Sequence, residues 1–210
     1  MPSVFIRSSV LASLLLSAAA LAQSAPAPSA PPQIVFGAKD ASLAPAGSYS
    51  VDPMHTAVVA RISHIGYSFS VFRFGTVSGS LTWDPAAIAH SKLSTTVDTK
   101  SIETPVPGFA DELAGPKYLN SAAYPQATFV STAFRQKDPT HGAVDGNFTL
   151  MGKTKPVTFD VSLVGAGPGF FGHPRMGIHA ETTINPQDYG LNPLLGNAIT
   201  LVIDSEFQKG

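Results

Sequence analysis

DPMHTAVVARISHIGYSFSVFRFGTVSG, residues Asp52 to Gly79, is the stretch from which the fold is read. From Thr56 to His64 the positions Val58, Ala60 and Ile62 are apolar, while Ala57, Arg61 and Ser63 are small or polar. That period of two predicts a half-buried strand, with Val59 the one misfit. Ile65, Gly66 and Tyr67 leave room for a turn. Beyond it Phe69, Phe72 and Phe74 place three phenyl rings within six positions, more aromatic surface than a simple hairpin needs.

On the N-terminal side, Gly47 to Asp52 reads as a short first strand stopped by Pro53, whose ring fixes its own φ and disfavours helix before it. On the C-terminal side the second run continues from Ser70 to Trp83, with Gly75 and Gly79 marking a bulge or a close backbone approach. Strand patterns recur at Lys92 to Asp98, Gln126 to Arg135, Ala143 to Met151, Pro156 to Gly165, Arg175 to Ile184 and Ile199 to Phe207. The clearest is Val157, Phe159, Val161 and Leu163 alternating with Thr158, Asp160 and Ser162. Met151-Gly152-Lys153 supplies a tight hairpin turn, and Asp188 with Tyr189 fixes another before Gly190.

One segment has a different texture. Ser101 to Pro125 carries Pro105, Pro107, Gly108, Pro116 and Pro125, and only Phe109 to Leu113 has an apolar i, i+4 pair, so a long crossover with one or two short helices is expected. Its Phe109, Leu113, Tyr118 and Leu119 need a surface to cover, and one end of a barrel provides it. Eight to nine strands, nearly all joined by turns too short for a helical crossover, imply an all-β, antiparallel, up-and-down sheet. Closing it into an eight-stranded barrel removes the exposed edges and leaves room for one small or slender ligand.

Composition narrows the function. Lys and Arg number 13 against 14 Asp and Glu, so the chain lacks the basic footprint of a nucleic-acid binder. No cysteine occurs, which removes thiol catalysis, cysteine metal sites and disulfides. Arg7 precedes an apolar run from Val10 to Leu21, and Ala20-Leu21-Ala22 has the small-residue spacing of a signal peptidase site. Residues 1–22 are therefore expected to be a signal peptide; the run is shorter than the ~20 residues that a membrane span needs. Residues 23–46, rich in Ala, Pro and Ser, read as a flexible tether in which Ile34, Val35 and Phe36 are candidates for docking, and residues 47–210 as the barrel domain.

With the strands placed, the chain resembles the YceI-like family of exported, lipocalin-like barrels. The resemblance rests on YSVDPMHT (49–56), SHIGYSFSVFRFG (63–75), DTKSIET (98–104), YLNSAAYPQATFVST (118–132), GNFTLMGKTKPVTF (146–159) and INPQDYGL (184–191). Pro186 departs from it, standing where the family often has arginine. The resemblance implies non-catalytic binding, sequestration or transport of a long isoprenoid lipid in the periplasm, an isoprenoid quinone or a polyprenyl phosphate, with no cofactor beyond that ligand. Transient contact with a membrane or a membrane enzyme, and pairing with a second copy, are compatible with such a role.

Candidate ligand-binding residues follow. Val58, Ile62, Phe72, Phe74, Phe129, Phe148, Phe159, Met176 and Ile178 are wall candidates on the strands, with Phe69 beside them and Phe109, Leu113 and Tyr118 on the crossover. Any of the phenylalanines serves equally as solid core. His64 and Ser68 are placed at a polar end of the cavity, to hydrogen-bond a head group, or else simply cap their strands. A metal site from Asp52, His55 and His64 is set aside, because an i, i+9 pair on an extended strand is roughly 30 Å apart. Two other functions stay open: a lipid-ester hydrolase using the same pocket, although no G-x-S-x-G or H-E-x-x-H occurs, and a filled structural or partner-binding barrel.

Overall fold

The first strand, β1 (Gly47–His64), runs the full height of the barrel and is the reference for every other element. The structure is a computed structural model that describes residues 35–169, 172–196 and 198–210; the signal-peptide assignment and the first half of the tether, residues 23–34, lie outside them. After β1 come β2 (Ser68–Phe74), β3 (Val77–Trp83), β4 (Lys92–Asp98), β5 (Ile102–Glu103), α1 (Phe109–Ala114), the one α-helix among the described residues, β6 (Gln126–Gln136), β7 (His141–Leu150), β8 (Lys153–Gly167), β9 (Arg175–Ile184) and β10 (Ile199–Lys209). All neighbouring strands are antiparallel, and β10 pairs back with β1, which closes the sheet.

Ten strands make eight staves. β2 pairs with the C-terminal half of β1, from Val58↔Phe74 to His64↔Ser68, and β3 with its N-terminal half, from Gly47↔Trp83 to Ser50↔Ser80. They form one stave bent at Gly75 and Thr76, whose N–H groups are taken by the Ser101 carbonyl and hydroxyl, both at 3.0 Å. β4 and β5 form the next stave in the same broken way. The fold is thus the expected eight-stranded antiparallel barrel, with one short helix in the crossover.

Pro53 does not end a strand. β1 continues through it, because the four residues between Asp52 and Ala57 bulge out against a single residue of β10, where no ladder donor is needed. The Asp52 carboxylate accepts the Met54 N–H (3.0 Å), and the Thr56 hydroxyl donates to the Asp52 carbonyl (2.7 Å). Val59, the misfit of the alternating pattern, points outward and meets Val202 across the β1–β10 ladder. At the β7–β8 hairpin, Met151 and Gly152 both have positive φ (49° and 71°), the pair a tight primed turn requires.

The two ends of the barrel differ. At the helix end, α1 and the crossover cover the lumen with Leu113 and Leu119, joined by a Leu119 N–H to Leu113 carbonyl bond of 3.0 Å. At the opposite end lie the β3–β4 and β6–β7 turns and the segment that precedes β1. Ala38 exchanges backbone bonds with Ala166, Ala44 is fully buried with its carbonyl accepting Trp83 Nε1, and the Tyr49 hydroxyl donates to the Pro45 carbonyl. Residues 38–45 are therefore attached through backbone groups, while Val35 and Phe36, two of the apolar docking candidates, remain exposed.

Candidate functional site

Inward-facing side chains do not fill the barrel. They leave a hollow of about 290 Å³ that runs from the helix end to the β6–β7 turn. That volume is at the lower edge of ligand pockets, roughly 300–1,000 Å³, and suits a slender guest. β1 contributes Thr56, Val58, Ala60 and Ile62, and β10 contributes Ile199, Leu201, Ile203, Ser205 and Phe207: one face of each strand, as the pleat dictates.

Eleven of the sequence candidates stand on this wall: Val58, Ile62, Phe72, Phe74, Leu113, Tyr118, Phe129, Phe148, Phe159, Met176 and Ile178. Their rings are locked by edge contacts, Phe129 with Phe159 at 5.1 Å between centroids and Phe148 with Tyr189 at 5.4 Å. Phe109 is one layer back, packed on Phe72 at 6.3 Å.

Three candidates are elsewhere. Phe69 has the opposite parity to Phe72 on β2, so it points out of the barrel, 58% exposed, with the Arg61 guanidinium 4.7 Å above its ring. His64 and Ser68 face each other as the last pair of the β1–β2 hairpin, exposed and off the wall. They sit at the helix end, which apolar Leu113, Leu119, Leu191 and Leu195 close, whereas the polar rim is at the far end.

That rim is the β6–β7 turn, where exposed Arg135, Gln136, Asp138 and His141 border the hollow. The Thr140 N–H, the His141 ring and the other bonds of this turn hold the Asp138 carboxyl at about 2, well below its ordinary value. Arg135 pairs with Asp145 through two bonds of 2.8 and 2.5 Å. Sequence reading missed this rim because nothing in the local pattern tells which end of a barrel a distant crossover will cover. It also missed Phe134, Thr56 and Ser205 on the wall; the alternating pattern of β10 could have flagged Ser205, since it shares the parity of Ile203.

Outside the barrel, ligand atoms of Asp52, His55 and Glu206 come within 4.8 Å of one another, a grouping that the bulge creates and the sequence spacing does not reveal. Arg175 Nη1 already occupies it, donating to Asp52 Oδ2 (2.5 Å) and Glu206 Oε2 (2.8 Å), while Nη2 binds Gln208 Oε1 (2.9 Å). The guanidinium supplies the positive charge that two carboxylates would otherwise seek in a metal. His64 lies at the other end of β1 and takes no part.

Comparison with known proteins places these features in a family. Residues 49–207 match the family model of the YceI-like domain. The chain is 36% identical over 171 residues to the protein YceI of Escherichia coli O157:H7, covering 79% of this chain and 89% of that one. Among solved structures, it is similar to Burkholderia cenocepacia BcnA, with a TM-score of 0.67, 22% identity and coverage of 74% and 98%. It is also similar to a polyisoprenoid binding domain from Saccharophagus degradans implicated in plant cell wall breakdown, with a TM-score of 0.60, 14% identity and coverage of 77% and 98%.

Proposed function

Because this chain belongs to the YceI-like family, we propose that it binds and carries a long-chain isoprenoid lipid, without catalysing a reaction on it. The observation that carries this reading is the apolar hollow, covered by leucines at the helix end and bordered by polar residues at the other. The description of the Saccharophagus degradans domain as polyisoprenoid binding supports the same ligand class here. The magnitudes ask for a long tail. A buried methylene contributes about 0.8 kcal/mol, whereas association costs roughly 4–15 kcal/mol, so about a dozen apolar groups must be sheltered before binding becomes favourable.

The signal-like N-terminus, Arg7 followed by the apolar run to Leu21, supports export and action in the periplasm. Collecting a bilayer lipid needs transient membrane contact, for which Ile65 and Tyr67 at the β1–β2 hairpin tip, 81% and 90% exposed, are suited. The test is organic extraction of the protein purified from its native host, followed by mass spectrometry. A stoichiometric prenyl species is expected. An empty protein that also takes up no prenyl lipid in solution overturns the proposal.

A further inference from the structure

On the wall of the hollow, the Thr56 and Ser205 side chains meet, their hydroxyl oxygens 2.9 Å apart, with the two residues 5% and 6% exposed. Each hydroxyl has one hydrogen to give. The Thr56 hydrogen is committed, because Thr56 Oγ1 stands 2.7 Å from the Asp52 carbonyl oxygen, which can only accept. The bond between the two side chains must therefore use the Ser205 hydrogen. Neither hydroxyl then has a hydrogen left, and what the pair offers the lumen is oxygen lone pairs.

The same count holds for Thr99, 1% exposed and also on the wall, whose hydroxyl donates to the Tyr124 carbonyl (2.8 Å). Thr95 faces the hollow too, but its hydroxyl has no side-chain partner among the described residues; it can turn to give or to accept and expresses no preference.

We infer that the Thr56–Ser205 pair is the specificity element of the hollow, and that it selects a neutral prenyl lipid carrying a hydroxyl donor, a prenyl hydroquinone or a polyprenol, over a quinone or a phosphate. Set against this pair, a quinone carbonyl would place oxygen against oxygen with no hydrogen between them. A phosphate would add negative charge to the same mismatch. The inference rests on the lipid-carrier reading and sharpens it.

The test compares equilibrium binding of geranylgeraniol and its methyl ether, which share a tail but differ in the donor, to the unmodified full chain. The alcohol is expected to bind roughly tenfold more tightly, the worth of one hydrogen bond in a dry site. Thr56→Val removes the oxygen that holds the Ser205 hydrogen and frees that hydrogen for the lumen, so the preference is expected to shrink to about twofold or reverse. Equal affinities in the unmodified protein overturn the inference and leave the carrier reading standing. Failure of both compounds to bind overturns the two together. The first comparison needs no substitution, so a Thr56→Val protein that fails to fold does not shield the inference.

Discussion

The Phe129 ring lies directly over Gly146 on the neighbouring strand, so close that a Cβ at Gly146 would stand 2.6 Å from Phe129 Cε2 and 2.6 Å from the Val130 carbonyl oxygen. The missing side chain of Gly146 is what allows a wall ring to lie flat against the sheet. Gly146→Ala is expected to push that ring into the lumen and to cost about 1–3 kcal/mol through overpacking. Thermal melts and titration with a fluorescent prenyl analogue should show both effects together. Unchanged binding with an unchanged melt would mean that the ring has space to move aside.

Filling the hollow separates ligand space from core. Ala180 is 6% exposed and faces the lumen from the middle of β9. Ala180→Phe is expected to leave stability unchanged or raised, since added apolar groups there contact wall atoms at about 0.8 kcal/mol per methylene. Uptake of a prenyl tail should fall at least tenfold. A destabilised protein with intact uptake would show that the space beside Ala180 is already taken.

Most of this architecture was legible in the alternation of single strands. The parity that put Val58, Ala60 and Ile62 together on β1 was correct, and so were the limits of β4 and β9. Two features were not legible. Pro53 looks like a strand end, yet a bulge absorbs it, because Asp52 and Thr56 supply bonds that no local propensity encodes. Hollowness was the other: whether eight inward faces fill a barrel depends on the sum of their side chains across the lumen, which no one strand contains.

Phe69 and Phe72 show what parity decides and what aromatic content alone does not. Both belong to β2, but Phe72 is 7% exposed on the wall and Phe69 is 58% exposed on the outside. Replacing each in turn by leucine is expected to weaken prenyl binding several-fold for Phe72→Leu and by less than about twofold for Phe69→Leu. The melt should fall only for Phe72→Leu, where a buried ring loses contacts. Equal losses of binding from the two substitutions would contradict the wall assignment.

Acid should loosen the barrel at the β1 bulge. Burial alone would raise the Asp52 carboxyl, but hydrogen bonds from His55, Arg175 and the Met54 N–H outweigh it and hold the group at about 2 against an ordinary 3.8. A carboxyl depressed by folding adds stability that is fully present above its unfolded value and disappears as pH falls through its folded one, so the loss belongs between about pH 4 and pH 2. Asp52→Asn removes that dependence and, near neutrality, leaves Arg175 with only Glu206 and Gln208, at a cost of roughly 1–2 kcal/mol. For a domain of this size the melting temperature should then drop by about 2–8 °C at pH 7. Asp138, also held at about 2, titrates alike in both proteins, so the difference between their melting temperatures isolates Asp52. That difference should shrink steadily from pH 4 downward and vanish only below about pH 2. A gap of constant size across the range would mean that the Arg175 contact does not distinguish the ionised carboxyl from the neutral one.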